Sequence, residues 1–152
     1  MPGLNNNLVV PDFQVRINGR DLPSAAVMDL SSVIVHDDVE APGMFSLRLL
    51  NWDMLQLRMT WVDDDLFAVG NAVEIAMGYV DNLTTLITGE ITGLEPEFCA
   101  NEPPIVTVRG YDRRHRLLRG RKTRSFVKVK DSAIASQIAS EAGLAAGPQI
   151  QR

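Results

Sequence analysis

In Val106–Arg124, VTVRGYDRRHRLLRGRKTR, a strand runs into a basic corner. Val106 and Val108 alternate with Thr107 and Arg109, the two-residue period of a half-buried strand. Gly110 lacks a Cβ and predicts a sharp break in that strand. Asp112 then predicts an N-cap for one or two helical turns carrying Arg113, Arg114, His115, Arg116, Leu117, Leu118 and Arg119. Gly120 predicts the end of those turns.

The corner concentrates charge. Residues 109–130 hold ten Lys or Arg against one acid, Asp112, a net of +9. Residues 1–108 hold four Lys or Arg against sixteen acids, a net of −12. The formal charge of −4 therefore hides two opposed halves, the asymmetry of a chain that meets a charged partner.

Length and composition set the class. A chain of 152 residues makes one domain, or one domain and part of a second. An apolar fraction of 45% is enough for a packed core and too high for a disordered chain. No apolar run approaches the roughly 20 residues needed to cross a bilayer. The start, MPGLNNNLVVPDF, lacks a basic region followed by an apolar core and does not read as a secretory signal. A single cysteine, Cys99, excludes an internal disulfide and a multi-cysteine zinc site. Together these features fit assembly in a reducing cytoplasm.

Along the chain, residues 1–11 read as a polar lead-in, with Asn5–Asn7 and Pro11 opposing regular structure. Phe13, Val15 and Ile17 alternate with polar residues, and Asn18-Gly19 turns that strand. Ala26–His36, rich in β-branched residues, predicts a second strand, and Met44–Leu50 a third after Pro42-Gly43. In 51–67, Trp52, Leu55 and Met59 have helical spacing. Gly70-Asn71 turns the chain into an alternating strand through Val73, Ile75, Met77 and Tyr79. Asp81-Asn82 turns it back through Leu83–Leu94, where Gly89 and Gly93 predict a bulge or strong bend. Pro96, Pro103 and Pro104 bracket a loop with Cys99. Short strands at this spacing predict a mainly β fold with α elements: a small antiparallel β-barrel, or a sandwich. Beyond Arg124, an extended piece with Phe126, Val127 and Val129 leads to a helix capped by Asp131 or Ser132, running through Ala142 and stopped by Gly143. Residues 1–125 thus read as one domain, and 126–152 as an extended segment and helix leading onward.

Catalytic chemistry is searched for without result. The acidic runs Asp37/Asp38/Glu40 and Asp63–Asp65 lack calcium-loop spacing and read as solvated loops. His36 and His115 have no second histidine or cysteine nearby, so no metal site is expected. No GxSxG elbow and no Walker-type loop occurs. The reading is a non-enzyme without cofactors; a hydrolase using the acidic loops is the contrary case. The functional signal is the basic corner: Arg113, Arg114, Arg116, Arg119, Arg121, Lys122 and Arg124. It reads either as a face paired with the chain's own acids or as a protein interface. A nucleic-acid-binding barrel using 109–130 ranks below both, because only Tyr111 and Phe126 flank the cluster.

These residues also carry a resemblance. TGEITGLEPEF (Thr88–Phe98), VTVRGYDRRHRLLRGRKTRSF (Val106–Phe126) and DSAIASQIASEAGL (Asp131–Leu144) together resemble the phage late control D family. DDVEAPGMFSLRLLNWD (Asp37–Asp53) and LFAVGNAVEIAMGYVDN (Leu66–Asn82) fit the same pattern, in the same order. These are baseplate hubs of contractile tails, similar to the hub part of VgrG proteins in type VI secretion and related injection systems. The resemblance implies a homotrimer between the tail tube and a spike protein, and two similar barrels per subunit that match a hexameric tube. It implies no catalytic residues. It implies a protein made in the bacterial cytoplasm and built into a phage tail or injection particle. Members are longer, so this chain is expected to be an N-terminal part, without the second barrel or the spike.

Overall fold

The computed structural model describes residues 10–80 and 82–145. The expected polar lead-in before Val10, the Asp81 half of the Asp81-Asn82 turn and the last residues, Gln149–Arg152, lie outside them. The chain divides into two compact units, Met1–Asp112 and Arg113–Arg152.

The first unit is one antiparallel sheet of seven strands. In chain order these are β1 (Pro11–Ile17), β2 (Arg20–Asp21), β3 (Leu30–His36), β4 (Met44–Leu50), β5 (Ala72–Tyr79), β6 (Asn82–Glu97) and β7 (Ile105–Asp112). Across the sheet the order is β2-β1-β5-β6-β7-β4-β3. Two-residue alternation decides which face is buried. Val15 and Ile17 of β1, Val73 and Ile75 of β5, Phe45, Leu47 and Leu49 of β4, and Val106 and Val108 of β7 all enter one core cluster. Asn18 and Gly19, both at positive φ, make the turn from β1 to β2 that the Asn-Gly pair predicts.

Strand β6 joins the two halves of the sheet. Its first part pairs with β5, from Tyr79 opposite Asn82 to Ala72 opposite Glu90. Its second part pairs with β7, from Gly89 opposite Asp112 to Glu97 opposite Ile105. Two register shifts leave Leu86 and Thr92 as extra residues on β6. Such bulges bend a strand and raise its twist. Ile87 and Ile91 of β6 both reach the core that the two halves share. The bend expected near Gly89 and Gly93 is therefore present.

The sheet stays open. β2 and β3 end it, and no ladder among the described residues joins them. A trough of about 390 Å³ separates the start of β1 from the start of β3, lined by Phe13, Leu30, Val33 and Met77 among others. The mainly antiparallel β architecture is as expected; closure into a barrel is not what this chain displays.

Four local expectations need correction. Gly110 does not break the strand: β7 continues to Asp112, with Gly110 opposite Phe45 on one side and Ile91 on the other. The stretch Ala26–His36 is not one strand. A short helix, α1 (Ser24–Asp29), precedes β3; Pro23 sits at its cap position and Ala26 is wholly buried. Proline's fixed φ and two good helix formers, Ala25 and Ala26, outweigh Val27 there. The segment 51–67 is a loop with one turn of 3-10 helix (Asp65–Phe67) instead of an α-helix. Asn51 organises it: its Oδ1 accepts backbone N–H groups from Thr60, Trp61 and Val62 at 3.2, 2.7 and 3.2 Å. The Trp61 indole N–H donates to Asp29 at 2.8 Å, which ties the loop to α1. The fourth correction is at the last helix, α2 (Asp131–Glu141): its cap position is Lys130, and no side chain caps it. Asp131 instead places its charge in the first turn, where the helix dipole favours an anion.

The second unit holds a 3-10 turn (Arg113–Leu118), an extended stretch and α2. Gly120 and Gly143 both have positive φ. At Gly143 the helix ends as its sequence predicts. The Leu144 N–H donates to Ala139 at 2.8 Å and the Gly143 N–H to Ser140 at 2.9 Å, the paired bonds of a Schellman cap.

Candidate interaction surfaces

The basic residues fall into groups. Arg113, Arg114 and Arg116 lie on the 3-10 turn. Arg119, Arg121, Lys122 and Arg124 follow on the non-helical stretch. Four of the seven, Arg116, Arg119, Lys122 and Arg124, line one groove of about 500 Å³ with Phe126, Ile138, Glu141 and others. Arg113, Arg114 and Arg121 do not line it. Local geometry fixes the walls. Arg116 donates to the last-turn carbonyl of Ala142 at 3.3 Å, a cation at the negative end of α2. Arg124 meets Glu141 at 2.7 Å, and Gln137 also donates to that carboxylate at 3.2 Å. The hydrogen bond from Arg124, then that from Gln137, pushes Glu141 down to about 2.

Asp112, the expected helix cap, closes the end of the sheet. Its Oδ2 accepts the Gly43 N–H at 2.8 Å, and its own N–H donates to the Gly43 carbonyl at 2.8 Å. His115 contacts Arg119 at 2.8 Å, and His36 ends β3 on the surface. Among the described residues no group of three or more His, Cys, Asp or Glu is placed to hold a metal ion. Cys99 is exposed. Among the described residues no helix is long and apolar enough to cross a membrane.

Two surfaces escape the sequence reading. The first is the tip 53–58. Asp53 accepts the N–H groups of Leu55 and Gln56 at 2.8 and 3.0 Å and pairs with Arg58 across the loop. This ordered turn holds Met54, Leu55 and Leu57 out in solvent at 76%, 95% and 71% exposure. Three large apolar side chains displayed together on one short tip make it a candidate interaction surface. The Asp that opens the turn was the available signal; helical spacing of Trp52, Leu55 and Met59 masked it. The second surface is β3. At the other end of the sheet β2 is two residues long, and both are charged. β3 runs seven residues, LSSVIVH, with no Lys, Arg, Asp or Glu. Natural edges are blunted by charge, shortness or bulges; β2 is short and charged, whereas β3 has only a register irregularity between Leu30 and Ser32.

The fold is similar to that of solved phage tail proteins. The 43 kDa tail protein of prophage MuSo2 from Shewanella oneidensis is similar with a TM-score of 0.63 and 16% identity, over 88% of this chain and 38% of that one. The tail protein from Neisseria meningitidis MC58 is similar with a TM-score of 0.57 and 13% identity, over 87% of this chain and 34% of that one. The chain therefore spans well under half the length of either. No curated protein matches it in sequence. The chain belongs to the Alg8 N-terminal domain family, whose model matches residues 7–150. That description is not late control D or VgrG; likeness to phage tail proteins is the part of the sequence expectation that the comparisons share.

Proposed function

We propose that this chain is the N-terminal part of a structural, non-enzymatic tail protein, the hub that joins a tail tube to a spike as a homotrimer. The observation that carries this reading is the long β3 edge at the open end of the sheet, seven residues without Lys, Arg, Asp or Glu. An isolated soluble domain with such an edge invites uncontrolled strand pairing. A subunit of a closed ring hides it against its neighbour. The apolar tip Met54/Leu55/Leu57 supports the same reading, because it too needs cover. So does the likeness of the fold to tail proteins. In the assembled ring the trough between β1 and β3 is filled, and each open sheet acts as a barrel segment. The test is electron microscopy of particles carrying the full-length protein. A threefold ring capping a tube is expected. A particle whose tube ends without this protein, or a full-length protein that stays monomeric, overturns the reading.

A further inference from the structure

Resting on the assembly reading above, we propose that the groove of the second unit seats the acidic loop Asp63–Asp65 of another copy of this chain. The groove is cationic at its rim, with Arg116, Arg119 and Lys122, and apolar at Phe126 and Ile138. Its one acid, Glu141, is hydrogen-bonded by Arg124 and Gln137, and Lys122 acts on it only through its field, so the groove keeps a net positive charge. Lys122 has no ion partner among the described residues. The loop is the converse. Asp63, Asp64 and Asp65 are consecutive and exposed, and among the described residues none of them pairs with a cation.

The loop is also preformed. Asp64 accepts the Leu66 N–H at 2.8 Å as the cap of the 3-10 turn, and its own N–H donates to Trp61 at 3.3 Å. A rigid acidic projection loses little freedom on docking. Among the described residues neither Lys122 nor the three carboxylates makes an ion pair, and a second copy offers each of them its opposite. Opposed potentials of this kind set register and suppress wrong partners. Loop and groove are different surfaces, so the contact is head to tail and either closes a ring or continues. A nucleic acid would match the cations but gives the acidic loop no role.

The full-length protein is followed by sedimentation velocity at low and high salt. Self-association is expected to weaken as salt rises. Lys122→Glu alone, and Asp63→Lys with Asp65→Lys, are each expected to weaken association by about tenfold at low salt. In an equimolar mixture each groove finds its opposite only on the other protein's loop, so alternating association is expected to recover, in even-numbered assemblies. Carrying all three substitutions on one chain reverses both partners together and is expected to restore association to within about threefold. The proposal is overturned if Lys122→Glu leaves association unchanged, or if the combined variant is no better than either parent. It is also overturned if the substitution alters only retention on DNA, which would give the groove to nucleic acid. The tail reading fails separately, if charge exchange rescues association while particles lack the protein.

Discussion

Gly110 of β7 lies flat against the ring of Phe45 on β4. A Cβ built on Gly110 would overlap the edge of that ring and the carbonyl oxygen of Glu90 on β6. Three strands therefore meet at a position where only hydrogen fits. Gly110→Ala is expected to cost about 1–3 kcal/mol or more, the range for overpacking a dense core. The denaturant midpoint should fall with the slope unchanged. Adding Phe45→Leu relieves the ring and leaves the Glu90 carbonyl in place. Partial recovery at most is expected, and full recovery would show that the backbone contact is unimportant.

Asn51 carries the loop that presents the apolar tip. It is fully buried, and its Oδ1 is the acceptor for three backbone donors. Asn51→Leu keeps the branched shape with some added bulk and removes the acceptor. Stranding buried N–H groups is expected to cost about 1–3 kcal/mol. Trp61, which packs edge-on to Phe67 with centroids 5.8 Å apart, reports the change. Its emission should shift to the red before global unfolding; an unshifted spectrum with wild-type stability would show that the loop holds without Asn51.

The surfaces assigned to assembly make the opposite prediction. Ile34→Lys on β3 and Leu55→Asp on the tip both alter exposed side chains. Away from buried features such changes stay within about 0.5 kcal/mol of wild-type stability. Incorporation of the full-length protein into particles should nevertheless fall sharply for both, measured by particle yield and subunit content. If incorporation is unchanged, neither surface is covered in the assembly.

Periodicity made the sheet legible because alternation survives in four strands: β1, β4, β5 and β7 each place apolar residues at two-residue spacing against a shared core. It failed where local chemistry outweighs pattern. Helical spacing in 51–67 was accidental, and one buried amide, Asn51, decides that loop through contacts at |i−j| of 9 to 11. Gly110 looked like a breaker because its freedom is visible in sequence, whereas its crowding by Phe45 comes from a strand more than sixty residues earlier. The basic corner was legible as charge. Its sorting into a groove was not, since that depends on Arg124 reaching Glu141 and on Arg116 reaching the end of α2.

The Arg124–Glu141 pair gives the second unit a pH dependence of known sign. The Glu141 carboxyl is lowered from 4.5 to about 2, so the folded state binds its proton more weakly than the unfolded state does. The stabilisation is therefore complete above about 4.5 and is lost as pH falls through about 2. Both side chains are partly exposed, at 32% and 39%, so salt should weaken the effect. Arg124→Gln removes the first cause of the shift and leaves Gln137 as a weaker donor. The Glu141 midpoint, followed by carbon-detected NMR of its carboxyl group, should then move up toward the ordinary range. The groove should also lose its acidic wall contact, and the α2 amide protons nearest Glu141 should exchange faster at neutral pH. A midpoint that stays near 2 in Arg124→Gln would mean that Gln137 and Lys122 hold the carboxylate without Arg124, and that this arginine is available to a partner.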